Sequence, residues 1–99
     1  MQMEQEKYSI STNEKEISKF LDRCDAKVRD RMIQEMIDLQ FFPQKGHIEK
    51  LQGEPGYRKK VRDYRIIFQI DHNSKHVHIE MIFHRNDDYR KWKRKVRRP

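Results

Sequence analysis

Apolar residues follow a helical spacing in the first half of the chain and alternation in the second. Lys7-Tyr8-Ser9-Ile10-Ser11 alternates weakly and predicts a short strand. Ser11, Thr12 and Asn13 are all good N-cap residues, and both Ser11 with Glu14 and Asn13 with Glu16 have capping-box spacing. A helix over about 13–23 would turn Ile17, Phe20, Leu21 and Cys24 to one side. Asp25 then caps a second helix running to about Leu39, with Val28, Met32, Ile33, Met36, Ile37 and Leu39 as its apolar positions. Phe41-Phe42-Pro43 ends it, because proline disfavours helix in the residue before it.

Residues 43–56 hold all three glycines and two of the three prolines, and predict an irregular connection with one helical turn at His47–Leu51. Beyond it the period changes to two. Tyr57–Arg62, Arg65–Ile70 and His76–Phe83 read as strands, the last with Val77, Ile79, Met81 and Phe83 on one face. Asp63 suits a tight turn or bulge, and Asp71–Lys75 is a turn by composition. Asn86 or Asp87 would cap a C-terminal helix carrying Tyr89 and Trp92, followed by a frayed basic tail over 93–99. Turns this short make the three strands an antiparallel meander. The expected fold is α+β: an N-terminal strand, a two-helix hairpin packed on the meander, and a short C-terminal helix.

The chain has 99 residues, enough for one small domain. Hydrophobic residues are 34% and charged residues 39%, so the core is thin but clustered rather than absent. No apolar run reaches the roughly 18–20 residues of a membrane span. The N-terminus lacks the basic-then-apolar pattern of a signal peptide, and a cytoplasmic protein without a membrane partner is expected. A single cysteine, Cys24, excludes an internal disulfide and a cysteine-rich zinc site. His72, His76 and His78 gather near one turn, but Asp71 is the one further ligand in reach, and no metal or other cofactor is expected.

Charge changes the picture. Residues 1–56 carry 9 basic and 11 acidic side chains, whereas residues 57–99 carry 14 and 5, so the whole excess of the +7 net charge is C-terminal. Such asymmetry suits a polyanionic partner, although a solvated basic face would look the same. Alternation in Tyr57–Arg62 sets Tyr57, Lys59 and Val61 on one face and Arg58, Lys60 and Arg62 on the other. Steps of about 6.6–7 Å between those cations approach the spacing of successive phosphates. Arg65 opens the next strand and Arg85 follows His84 at the end of the third. A lysine- and arginine-rich edge is also a defence against aggregation, so the pattern alone leaves both readings open.

From Leu51 to Tyr89 the chain resembles the RelE/ParE toxins of bacterial and archaeal toxin–antitoxin systems. The matching pieces are Leu51-Gln52-Gly53, the run Tyr57-Arg58-Lys59-Lys60-Val61-Arg62-Asp63-Tyr64-Arg65-Ile66-Ile67-Phe68, and His84-Arg85 with Tyr89 in an H-R-x-x-x-Y arrangement. The resemblance implies a type II toxin with a cognate antitoxin. RelE-like members cut mRNA in the ribosomal A site without a metal, while ParE-like members inhibit DNA gyrase and are not nucleases.

Residue by residue, the resemblance makes Arg58, Lys60, Arg65, Arg85 and Tyr89 the catalytic candidates. Lys60 would assist deprotonation of the 2′-hydroxyl, on the ground that crowding by cations lowers a lysine pKa. Arg65 and Arg85 would hold the phosphate and its transition-state charge. Arg58 would position the backbone or act as acid, although it stands where the best-known RelE pattern has lysine. Tyr89 would stack on a base or join proton transfer, or simply cover the core. Arg58, Lys59, Arg62, His84, Lys93 and Arg94 make up the wider RNA-contact set. His84 suits a strand-end structural role as well. A cation set on one strand face plus a terminal tyrosine is more than gyrase inhibition requires, which favours the nuclease, with ribosome and mRNA as partners. Gyrase inhibition and an inactive or regulatory homologue remain the alternatives.

Overall fold

The computed structural model describes residues 7–41 and 47–87. Chain order is β1 (Ser9–Thr12), α1 (Glu14–Asp22), α2 (Ala26–Asp38), a 3-10 turn (Leu39–Phe41), β2 (His47–Lys50), β3 (Tyr57–Val61), β4 (Tyr64–Asp71) and β5 (His76–His84). One five-stranded sheet runs in the order β1-β5-β4-β3-β2. The meander β3-β4-β5 is antiparallel, as expected, while β1 returns to pair in parallel with β5. The C-terminal helix expected around Tyr89 and Trp92 lies outside the described residues.

The helix starts follow their caps. Asn13 Oδ1 accepts the backbone N–H of Glu16 at 3.4 Å, and Asp25 Oδ1 accepts that of Val28 at 2.9 Å. Ile17, Met32, Met36 and Leu39 are buried, and they pack with Val61, Ile66, Phe68, Val77, Ile79 and Ile82 from one sheet face. Ile33 and Ile37, expected inside, are instead exposed at 38% and 45%. They widen the apolar stripe beyond what the sheet covers. Cys24 is half-buried, and its Sγ donates to Phe20 O at 3.3 Å. Burial pushes its thiol pKa up, and Asp25 adds to this against the pull of Arg29.

Two further expectations need correction. His47–Lys50 is an edge strand paired antiparallel with β3, and no helical turn forms there. Four residues of His-Ile-Glu-Lys carry too little pattern to announce a strand, and the ladder offered by β3 decides the outcome. In β5 the alternation is interrupted. Ile67 pairs with Met81 but the next residue, Phe68, pairs with Ile79, so Glu80 is an extra residue in the ladder. Past this bulge the faces exchange. Val77, Ile79 and Ile82 join the core under the helices, whereas Met81 and Phe83 turn to the other face and pack on Leu51 and Ile67.

Candidate functional site

The sheet face away from the helices gathers the cations. Register places His47, Lys60, Arg65 and Phe83 side by side in one rank across β2, β3, β4 and β5. The adjacent rank is Glu49, Arg58, Ile67 and Met81. Cross-strand neighbours of this kind have Cβ atoms about 4.5–5.5 Å apart. Three cations therefore lie next to an apolar floor of Leu51, Ile67, Met81 and Phe83, of which Leu51 and Ile67 are buried.

Hydrogen bonds fix the individual groups. Arg58 Nη2 donates to Glu49 Oε1 at 2.7 Å, and Lys60 Nζ lies 3.4 Å from the same oxygen. The Arg58 hydrogen bond, with the Lys60 and Arg58 charges, holds the Glu49 carboxyl below the usual carboxylate range against an opposing desolvation. Arg58 Nε is buried without a hydrogen-bond partner among the described residues. Arg65 Nη1 donates to the carbonyls of Arg62 at 2.9 Å and Tyr64 at 2.8 Å, so the guanidinium is anchored over the β3–β4 turn. Arg85 sits at the same corner. Its backbone N–H donates to Asp63 O at 2.6 Å, and its Nε lies 3.4 Å from Asp63 Oδ1. A shallow cavity of about 390 Å3 opens beside the cluster, lined by Glu49, Lys50, Leu51, Gln52 and Arg58.

Other candidates separate from this face. Lys59 is 1% exposed and points under the helices, where Nζ pairs with Glu35 Oε1 at 2.8 Å and donates to Glu35 O at 3.1 Å. Burial removes it from the RNA-contact set. Arg62 is not a third cation of the strand. It occupies the β3–β4 turn in a left-handed conformation with φ 54°, between Val61 and Tyr64, which pair. His84 pairs with Tyr64 on the helix-side face, and the two rings meet edge-on at 5.3 Å. Its backbone N–H donates to Asp87 Oδ2 and its Nδ1 accepts the backbone N–H of Asn86, which is the strand-end role. Tyr89, Lys93 and Arg94 lie outside the described residues.

The histidines near the β4–β5 turn are occupied by hydroxyls. His76 Nδ1 lies 2.6 Å from Ser9 Oγ and Nε2 lies 2.7 Å from Ser11 Oγ, while His78 bridges Ser11 Oγ at 2.7 Å and Glu80 Oε1 at 3.3 Å. Among the described residues no group of three His, Cys, Asp or Glu side chains is placed to hold a metal ion. None of the described helices is long and apolar enough to cross a membrane.

Sequence reasoning overlooked His47, Glu49, Met81 and Phe83. The first two were hidden because β2 was unrecognised, and a charged or polar residue at every second position of 47–50 was the one available signal. Glu49 also changes the reading of Lys60. Its Nζ lies 3.4 Å from a carboxylate oxygen, so crowding by cations does not by itself describe its surroundings.

The family model for the ParE toxin of type II toxin–antitoxin systems matches residues 13–89. No curated protein sequence matches the chain. Solved structures share the fold. RelE of the archaeal RelE–RelB complex from Pyrococcus horikoshii superposes with a TM-score of 0.67 at 22% identity, over 83% of this chain and 99% of that one. The toxin–antitoxin complex RelBE2 of Mycobacterium tuberculosis gives 0.71 at 18% identity, over 87% and 100%. The isolated RelE toxin of E. coli gives 0.64 at 19% identity, over 91% and 97%.

Proposed function

The chain belongs to the ParE toxin family of type II toxin–antitoxin systems, and from that premise we propose that it is a metal-independent endoribonuclease that cuts mRNA on the ribosome and so stops translation. The observation that carries this reading is the pair of ranks on the open sheet face: Lys60, Arg65 and Arg58 beside an apolar floor ending in Phe83. Cations spaced to meet successive phosphates, next to the partly exposed Phe83 ring on which a base can stack, suit single-stranded nucleic acid.

The reaction is attack of the 2′-oxygen on the adjacent phosphorus. The O2′–P bond forms, the P–O5′ bond breaks, the 2′-proton leaves to an acceptor, and the 5′-oxygen takes up a proton. Products are a 2′,3′-cyclic phosphate and a 5′-hydroxyl. Lys60 is assigned to the 2′-hydroxyl and Arg58 to the phosphate backbone beside it. Arg65, already anchored by two turn carbonyls, holds the non-bridging oxygens without losing further conformational freedom. Arg85, at the same corner as Arg65, joins it in holding the phosphate, and Tyr89 is assigned to base stacking or proton transfer. Bidentate guanidinium contacts suit the dianionic transition state better than the monoanionic diester, so they lower the barrier rather than only tightening binding.

Structurally similar toxins are found in complex with an antitoxin, RelB. A cognate antitoxin for this chain would present acidic or amphipathic helices to the basic open face. The ParE family model supports a second reading, in which the same face blocks DNA gyrase without chemistry. Induced expression followed by primer extension on a translated mRNA separates the two. Discrete cuts that require translation and vanish with Lys60→Ala are expected. Growth arrest with intact mRNA and loss of supercoiling activity would replace the nuclease reading with the gyrase one.

A further inference from the structure

The cation pair that the nuclease reading assigns to the substrate is already occupied. One oxygen, Oε1 of Glu49, sits 2.7 Å from Arg58 Nη2 and 3.4 Å from Lys60 Nζ. This is the bridging geometry a phosphate oxygen would adopt between the same two groups. Glu49 comes from the edge strand β2, directly opposite Arg58 in register, and its side chain is 46% exposed. It therefore has room to swing into solvent when something takes its place. The β2–β3 ladder does not depend on it, because four backbone register pairs hold the strands together.

We infer that Glu49 is a specificity-determining residue of this site, an internal stand-in for phosphate that must be displaced before Arg58 and Lys60 engage RNA. The inference rests on the RNA reading of the open face. Its consequence is selectivity. A loosely held polyanion has to remove Glu49 from two cations and then tolerate the carboxylate close by. A substrate fixed by additional contacts, such as Arg65 and the Phe83 floor, has the surplus to do so. Neutralising the group removes the competitor and raises the local charge by one. At separations of about 5 Å in a solvent-exposed site that change corresponds to about fivefold to tenfold in affinity at low salt.

The test uses the full chain and a fluorescent RNA oligonucleotide of about ten nucleotides carrying 2′-O-methyl groups, which cannot be cut because the nucleophile is blocked. Affinity is measured against salt for the wild type, Glu49→Gln, Asp30→Asn and the pair Arg58→Ala/Lys60→Ala. Asp30 is exposed on α2, on the other side of the sheet, and its substitution makes the same change in net charge. Glu49→Gln is expected to bind about fivefold to tenfold more tightly at about 0.01 M salt, with the gain fading as salt screens the site. Asp30→Asn should match the wild type, and the double variant should bind much more weakly. Equal or weaker binding by Glu49→Gln overturns the inference while leaving the RNA site standing. So does unchanged binding with a large fall in cleavage rate on translated mRNA, which would make Glu49 a proton acceptor. Equal gains from Glu49→Gln and Asp30→Asn also overturn it, since the effect would then be global charge. Binding that is indifferent to Arg58→Ala/Lys60→Ala removes the RNA reading of this face and the inference with it.

Discussion

Lys59 and Lys60 are neighbours in sequence and opposites in environment. Lys59 is 1% exposed, beneath the helices, with its ammonium held by Glu35. The Lys60 side chain is 43% exposed on the open face, near Glu49. Both are lysines paired with a glutamate, yet one belongs to the interior and the other to the surface proposed to meet substrate. The pleat of β3 alone makes the difference, because successive side chains point to opposite faces. The sheet thus separates a buried stabilising pair from the proposed site. Ionic groups on the helix side pay for desolvation with good geometry, while those on the open face stay hydrated and exchangeable.

Activity is where the comparison should break most sharply. Lys60→Ala is expected to reduce mRNA cleavage by about a hundredfold or more, the scale on which removal of one preorganised transition-state donor acts. Its thermal unfolding should stay within about 0.5 kcal/mol of wild type, as for other exposed positions.

On the helix side the largest stability effect should come from Glu35→Ala. It leaves the Lys59 ammonium buried with one backbone carbonyl as its remaining partner among the described residues. A loss of about 2–3 kcal/mol in denaturant unfolding is expected, at the low side for a broken buried pair because Glu35 keeps some contact with solvent. Lys59→Met should cost far less, since Glu35 retains Arg31 at 2.9 Å and the methionine fills the same space.

The same pair sets an acid limit. Burial tends to raise the Glu35 carboxyl pKa, but the Lys59 hydrogen bond and charge, followed by those of Arg31, outweigh it and leave the group below its ordinary value of 4.5. A depressed folded-state pKa contributes stability above the unfolded value and loses it as pH falls through the folded one. The melting temperature should therefore fall below about pH 4.5 less steeply in Glu35→Gln than in the wild type. Equal slopes would remove this pair from the acid transition. The smallest expected effect is at a cap: Asp25→Ala frees the Val28 N–H and should cost about 1 kcal/mol.

Much of this separation was legible in the sequence, and the failures have local causes. Caps at Asn13 and Asp25, the core positions Ile17, Met32 and Met36, and the three meander strands follow from spacing and turn chemistry. Alternation also put Lys59 with Tyr57 and Val61, on the face that proves to be the core. Its partner, Glu35, is 24 residues away, and no local pattern announces such a pair. Strand β2 was illegible because its four residues owe their conformation to β3. The bulge at Glu80 was illegible because one inserted residue reverses alternation without changing composition, so Met81 and Phe83 were assigned to the wrong face. Of the proposed site, Arg58, Lys60 and Arg65 could be read from one strand and the start of the next. Glu49 and Phe83 required the register of four strands.

The most direct test of the account sets Lys59→Met against Lys60→Met in one translating system, with mRNA cleavage rate and thermal unfolding measured on both. The account predicts that Lys59→Met cleaves within about threefold of wild type, whereas Lys60→Met loses about a hundredfold with its melting transition unchanged. Full cleavage by Lys60→Met, or equal loss in two equally folded variants, would contradict it.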